Sequence, residues 1–392
     1  MSIATTETPG QHGAKAHSDG GWDDTSVVPV QTRSERFTST DPTAFPAVTG
    51  QEVDWKLTPV STVRALIDGE LDGSRYELDG RGATVEWVDM VDGRVGSAGT
   101  PEDRASANAW SATQKALAIT IAGDERVALG FDRSGFGATP RAAHTVITAE
   151  PNSRGHVVLR STGAAQLAEN VEIVVKDGAN LTVVSLQEWD DDAHHLASHF
   201  AQVGRDASLT HIVVSLGGGV VRVNPSVHLS GEGSSGDLLG LYFADAGQHL
   251  EQRVYLHHQA ANTIGRVNYK GALQGVGART VWVGDVLIGR DATATDSYEQ
   301  NRNLVLSEGT RADSIPNLEI ETGDILGAGH ASATGRFDDE QLFYLQARGI
   351  TEPEARRLVV IGFLAEIVQK IDDDALESYL IERIVAELGG TA

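Results

Sequence analysis

The sequence predicts a mainly β protein with helical segments at both ends, and three observations carry that reading. From about Val127 to Ile325, short Val/Ile/Leu/Thr runs are separated by Gly, Asp and Asn at close spacing, with almost no helical period. The segments leading into these runs echo one another: DGANL at Asp177, RDASL at Arg205, EGSSGDL at Glu232, VGART at Val276 and EGTRA at Glu308. After Gly335 the apolar spacing switches to that of a helix.

Aligned on Ala179, Ala207, Ser235, Ala278 and Arg311, the lead-ins are 28, 28, 43 and 33 residues apart. A period in that range marks a solenoid, in which each repeat buries its face against the next. An antiparallel sandwich or barrel also has short strands at close spacing. The pattern alone leaves both open, although the Gly-containing turns fit coil-on-coil stacking better.

Residues 1–46 are rich in Ser, Thr, Gly, Pro and Asp without an apolar period, and are expected to form a disordered leader. An N-terminal α-rich domain is expected over 47–125. It begins near Val53, Trp55 and Leu57, has one or two helical turns over Val60–Ile67, and two short strands about a Gly turn over Tyr76–Val91. Ala105–Ile121, free of Pro and Gly, reads as a helix. The β core is placed at 126–334 and a C-terminal helical domain at 335–392. There, Thr351-Glu-Pro-Glu354 reads as a helix N-cap with a capping box. Leu358, Ile361, Leu364, Ile367, Val368 and Ile371 then share a helix face. Asp372 to Asp374 suit the start of a second helix, with stripe Leu376, Leu380, Ile384 and Leu388 and Gly389 at its C-terminal cap. Two such helices cannot bury both apolar faces alone, so a spare strip must meet the β core or a partner.

Composition narrows the function. The chain has 392 residues, 31 Lys+Arg against 55 Asp+Glu, and a net charge of −24, so it repels a polyanion and is expected to bind no nucleic acid. It has no cysteine. That excludes a disulfide framework, Cys-ligated zinc, a thiol nucleophile and a cluster held by its own thiolates. No apolar run approaches the ~18 residues of a membrane span, and the N-terminus lacks the basic start and apolar stretch of a secretory signal. The expectation is a cytoplasmic protein without a membrane partner.

Thirteen histidines are the obvious chemical candidates. His195 and His199 are four apart, as in a helical zinc motif, but Leu196 stands where that motif needs glutamate. A polar loop or solvated edge is the plainer reading of 190–199. His257 and His258 lie in a strand-like run, point to opposite faces, and cannot chelate one ion together. Asp285, Asp291 and Asp296 show no spacing for a catalytic carboxylate pair. A phosphate loop ending in Gly-Lys-Ser/Thr and a Gly-x-Ser-x-Gly elbow are both absent from the sequence. His330 differs in context: Gly327, Ala328, Gly329, Ala331 and Ser332 leave its imidazole sterically open at the junction of β core and helices.

That last stretch also carries a family resemblance. Ile315-Pro-Asn-Leu-Glu319-Ile, then His330, then Gly335-Arg-Phe-Asp-Asp-Glu-Gln-Leu-Phe-Tyr-Leu-Gln-Ala-Arg-Gly-Ile350 closely resembles the C-terminal signature of the SufB/SufD family, the scaffold subunits of SUF iron–sulfur cluster assembly. Trp55-Lys-Leu-Thr-Pro59, Gly204-Arg-Asp-Ala-Ser-Leu209, Leu229-Ser-Gly-Glu-Gly233, Asn268-Tyr-Lys-Gly271 and the run from Asp296 through Asn303-Leu304 are similar to further family motifs, in the expected order. The resemblance implies a right-handed parallel β-helix core flanked by N-terminal and C-terminal helical domains. It also implies pairing with a SufB-like subunit through the β-helices and docking of a SufC-like ATPase on the C-terminal helices. The lack of cysteine favours the SufD-like branch.

By the same resemblance His330 matches the family histidine that faces the SufB-like subunit, and is the candidate cluster or iron ligand. Ala328 replaces the cysteine two residues before it, and Asn262-Thr263-Ile264-Gly265 replaces a second cysteine segment. The implied cofactor state is no cluster held stably by this chain alone, with a transient iron–sulfur cluster shared with the SufB-like subunit. The reading is therefore a non-catalytic scaffold subunit. The competing class is a β-helix carbohydrate-active hydrolase or lyase.

Overall fold

The computed structural model describes residues 14–16, 27–29, 36–81, 83–337 and 339–389. Met1–Phe37 form one unit, in which Ala14–Ala16 pairs antiparallel with Val27–Pro29. The rest of the expected leader up to residue 35 lies outside the described residues. Thr38–Ala392 form a second, compact unit. Its first residues, placed in the leader by composition, carry a short 3-10 turn at Pro42–Ala44 capped by Asp41, and Phe45 is buried.

The strands of this unit alternate between two nine-stranded sheets. In one sheet, parallel pairing runs from Arg126–Ser134 through Arg154–Gly163, Asn180–Trp189, Ser208–Ser215, Ser235–Ala244, Ile264–Leu273 and Thr295–Val305 to Ile325–Arg336. In the other it runs from Lys115–Ile121 through Gly137–Ala149, Ala165–Val175, His194–Val203, Val220–Leu229, His249–His258 and Arg279–Ile288 to Arg311–Ile320. Consecutive strands thus change sheet and every second strand pairs in parallel, which is a parallel β-helix. The sandwich alternative falls, because its strands would pair antiparallel.

Each coil contains two strands, and both are preceded by similar Gly/Asp lead-ins. The sequence-derived repeat mixed the two. Asn180 aligns with Ser208 and Ser208 with Ser235, steps of 28 and 27 residues in the first sheet, whereas Ala278 and Arg311 belong to the second. The 43-residue step is one coil plus part of the next. The corners before six first-sheet strands, Arg154–Gly163 through Thr295–Val305, are built alike: Asn152, Gly178, Asp206, Gly233, Asn262 and Ala294 all have positive φ. Each donates its backbone N–H to a carbonyl one coil further on, as Asp206 does to Glu232. Left-handed corners favour Gly, Asn and Asp, which is why those residues punctuate the sequence.

The N-terminal end is closed. Glu77–Asp79 pairs antiparallel with the first sheet and Glu86–Asp89 antiparallel with the second, so these strands form no hairpin and instead terminate one sheet each. The expected helix over 105–121 is shorter: α2, Arg104–Ala112, follows α1, Val60–Asp68, and Lys115–Ile121 is a strand. Asp103 caps α2 in a capping box with Ser106. Beyond Thr113 the β-branched run Ile119-Thr120-Ile121 pairs with Gly137–Ala149, and tertiary pairing overrides the helical composition. Val63, Leu66 and Ile67 of α1 pack with Ala168, Leu196 and Val220 on the outer face of the second sheet.

The C-terminal helices are α3 (Asp339–Gln346), α4 (Glu352–Val368) and α5 (Asp374–Gly389). The spare apolar strip meets the β core: Val360, Leu364, Ile367, Leu380 and Ile384 bury against Ile212, Val214, Leu239 and Leu241 on the outer face of the first sheet. Each such side chain contributes about 1.5–3 kcal/mol. Leu358 falls off that face and is exposed. Thr351 is the N-cap of α4, but its side chain makes no capping bond; Glu354 is held instead by Arg357 at 2.6 Å. No described helix is long and apolar enough to cross a membrane.

Candidate functional site

The last coil places His330. Strand Ile325–Arg336 stands last in its sheet, and beside it Arg311–Ile320 stands last in the other. Side chains of Thr295–Val305 alternate, with Ser297, Glu299, Asn301 and Asn303 buried toward the lumen and Tyr298 and Arg302 outward. A bulge between Thr295 and Asp296 sets the register of the final strand so that Glu299 aligns with His330. His330 therefore has lumen parity, but no described coil lies beyond it, and its side chain is 47% exposed over a Glu299 that is 0% exposed.

The floor beneath is polar and hydrogen-bonded. Asn301 Nδ2 donates to Tyr242 Oη at 2.8 Å, Tyr242 Oη donates to Asn303 Oδ1 at 2.7 Å, and Asn303 Nδ2 donates to Asn301 Oδ1 at 2.8 Å. Ser314, from the other last strand, donates to Asn301 Oδ1 at 2.6 Å. Gly271 makes room for the Tyr242 ring, since a Cβ there would lie 1.8 Å from Cε2. His258 lies 3.0 Å from Ser297 Oγ and 2.8 Å from Thr263 Oγ1. Burial, with His257 and Arg266 alongside, pushes it down to about 3. A satisfied polar network of this kind fixes the platform below the open end.

The other candidates are structural. His195 and His199 lie on strand His194–Val203 and are buried in the lumen, so the loop or solvated-edge reading is corrected. His195 Nε2 is 2.8 Å from Glu169 Oε1, and Arg133 Nη2 donates to Glu169 Oε2 at 2.6 Å. Burial opposes ionisation of Glu169, but Arg133 and His195 outweigh it and hold the carboxyl well below its usual range. His199 Nδ1 is 2.9 Å from His211 Nε2, and burial pushes His211 down to about 4. His257 and His258 do take opposite faces: His258 is buried and His257 half-buried. Asp285 accepts from Asn317 on one sheet and Asp296 pairs with Arg266 on the other, so these acids do not face one another. Among the described residues no three His, Asp or Glu side chains gather as a metal site.

Trp55-Lys-Leu-Thr-Pro59 latches the N-terminal segment to the second sheet. Arg222 stacks over the Trp55 ring at 3.9 Å, and Thr58 Oγ1 donates to Glu251 Oε2 at 2.8 Å. Burial opposes ionisation of Glu251, yet Arg222, with His249 and Arg253, brings it down to about 2. Sequence reasoning did not single out Glu299, Glu169 or Arg133. For Glu169 and Arg133 the signal is a lone charged residue at lumen parity among apolar ones, as Glu169 lies between Leu167 and Val171; Glu299, between Ser297 and Asn301, carries no such signal.

Comparison with known proteins gives one family for most of the chain. Residues 133–363 match the family model described as SUF system FeS cluster assembly, SufBD core domain. An iron-sulfur cluster assembly SufBD family protein of Mycobacterium leprae is 46% identical over 376 residues, 93% of this chain and 96% of that protein. One of Mycobacterium tuberculosis H37Rv is 46% identical over 369 residues, 91% of this chain and 93% of its own length. The iron-sulfur cluster assembly protein SufD of Escherichia coli K12 is 30% identical over 220 residues, 56% of this chain and 52% of that protein.

Proposed function

This chain belongs to the SufB/SufD family of the SUF iron–sulfur cluster assembly system, and from that premise we propose that it is a scaffold subunit with no catalysis of its own. The observation that carries this reading is the unequal closure of the β-helix: one end is terminated by antiparallel strands, while the other presents two parallel edge strands and His330. The open end pairs with a SufB-like subunit in the cytoplasm. The cluster is cargo, formed transiently at that joint. His330 meets its iron through an imidazole nitrogen, a substitution for thiolate that iron–sulfur centres tolerate. The chain has no cysteine, so thiolates come from the partner and the chain alone holds no stable cluster.

The C-terminal helices dock a SufC-like ATPase. Phe343, Tyr344 and Leu358, on α3 and α4, are exposed apolar side chains beside a helix pair whose inner face is already buried against the sheet. Such exposed apolar groups fit a protein contact.

Co-expression of the full chain with SufB-like and SufC-like partners tests both joints. Phe343→Asp with Leu358→Asp is expected to release the ATPase and keep the SufB-like subunit. His330→Ala is expected to lower the iron content of the complex without dissolving it. Retention of the ATPase overturns the helix assignment, and unchanged iron loading returns His330 to a structural role.

A further inference from the structure

We propose that Glu299 is the positioning residue for His330: its carboxylate accepts the imidazole Nδ1–H and so turns Nε2, unprotonated, out of the open end of the β-helix. This rests on the reading of His330 as the residue that meets the cargo iron, and concerns how the chain prepares it.

The placement comes from the backbone. Glu299 and His330 are register partners on the last two strands of one sheet and share lumen parity. His330 Nδ1 is 3.8 Å from Glu299 Oε1, an ion-pair contact that a small rotation of the half-exposed imidazole converts into a hydrogen bond. The carboxylate cannot move away as readily. It is fully buried, and it sits over Gly284 on the opposite sheet, where an added Cβ would lie 2.3 Å from Oε2. The same Cβ would be 2.4 Å from the Trp282 ring. Gly284 has no positive φ, so its glycine serves this close approach rather than a turn. The carboxylate thus has a slot on one side and the imidazole on the other.

The chemistry follows. A neutral imidazole carries one proton, and the nitrogen that keeps it is set by the hydrogen bond made at the other. A buried carboxylate behind Nδ1 fixes the ring orientation and leaves the Nε2 lone pair facing outward. It also removes rotamer freedom that would otherwise be lost when a ligand is met. Among the described residues this imidazole is the one ligand assigned to the candidate site, which makes its orientation matter.

Long-range 1H–15N spectra of histidine-labelled, full-length chain test the proposal without any cluster. They are recorded at about pH 8, above the ordinary histidine range, and His330→Ala assigns the signals. The wild type is expected to hold the proton on Nδ1. Glu299→Gln keeps size but loses the charge, and is expected to shift the tautomer ratio toward Nε2–H about fivefold, because charge-assisted bonds are roughly twice as strong as neutral ones. Should that variant fail to fold, Gly284→Ala fills the carboxylate slot without altering either residue, and the same shift is expected. A wild-type ring protonated on Nε2, or a ratio unchanged in a folded variant, overturns the proposal. If His330→Ala leaves iron loading of the paired complex unchanged, the ligand reading fails separately, while the tautomer ratio still decides the role of Glu299.

Discussion

The two ends of the β-helix solve one problem in opposite ways. A solenoid end exposes both its core and a row of unpaired backbone groups, and natural repeats blunt it with atypical terminal units. At the N-terminal end, antiparallel strands stop both sheets. An aromatic plug fills the lumen there: Tyr76 stacks on Phe136 at 4.8 Å and meets Trp87 edge-on at 5.2 Å, and Phe136 meets Trp189 at 5.5 Å. Arg133 spans Tyr76 and Phe136 and is neutralised by Glu169. At the C-terminal end, the final strand is rich in Gly, Ala and Ser, Leu326 is 77% exposed, and the lumen beneath carries Ser297, Glu299, Asn301 and Asn303. The closed end covers its last coil, and the open end leaves its last coil exposed.

The largest effects are expected at the closed end. Phe136→Ala removes the centre of the plug and should cost about 3–5 kcal/mol. Glu169→Ala leaves Arg133 buried without its partner and should cost a similar ~3–5 kcal/mol. Denaturant unfolding measures both, and a loss under 1 kcal/mol would mean that the plug does not close the end.

The lumen gives an intermediate effect. His211 and His258 are buried with values near 4 and 3, below the ordinary 6.5. The unfolded chain takes protons that the native lumen refuses. Their contribution to stability is therefore full above about pH 6.5 and falls as pH drops toward the native values, by about 1.4 kcal/mol per pH unit for each. His258→Gln, below the open end, should reduce that slope by one proton between pH 6 and 5. An unchanged slope would contradict the burial of a neutral imidazole there.

At the open end itself, Leu326→Lys should change stability of the isolated chain by no more than about 0.5 kcal/mol, while weakening association with the SufB-like subunit at least tenfold. A stability loss comparable to that of Phe136→Ala would erase the contrast between the ends. The smallest effect is at α4: Thr351→Ala should fall below the ~1 kcal/mol of an ordinary cap, because the Thr351 side chain makes no capping bond, whereas Asp103→Ala at α2 should show it in full.

Much of the fold was legible in the sequence because it is local. Corner residues with positive φ had to be Gly, Asn or Asp in most coils, and α4 and α5 announced themselves by apolar period. What was not legible was pairing. Strand-like runs look alike whichever sheet they join, so the repeat slipped between sheets at Ala278, and Ala105–Ile121 looked helical until Gly137–Ala149 claimed its second half. His330 stood out through the small residues around it. Glu299 did not, since its partner lies 31 residues away and only the coil register brings them together. His195 and His199 resembled a polar edge because their partners lie on other strands, Glu169 on an earlier one for His195 and His211 on the next one for His199.

If the proposed function holds, the C-terminal end of the β-helix is completed by another chain. Backbone hydrogen exchange of the full chain, alone and mixed with the SufB-like subunit, tests it directly. Amides of Ile325–Arg336 and Arg311–Ile320 are expected to become protected on mixing, while those of Glu77–Asp79 and Glu86–Asp89 do not change. Protection at the N-terminal strands instead, or none at the C-terminal pair in a complex that has formed, would contradict it.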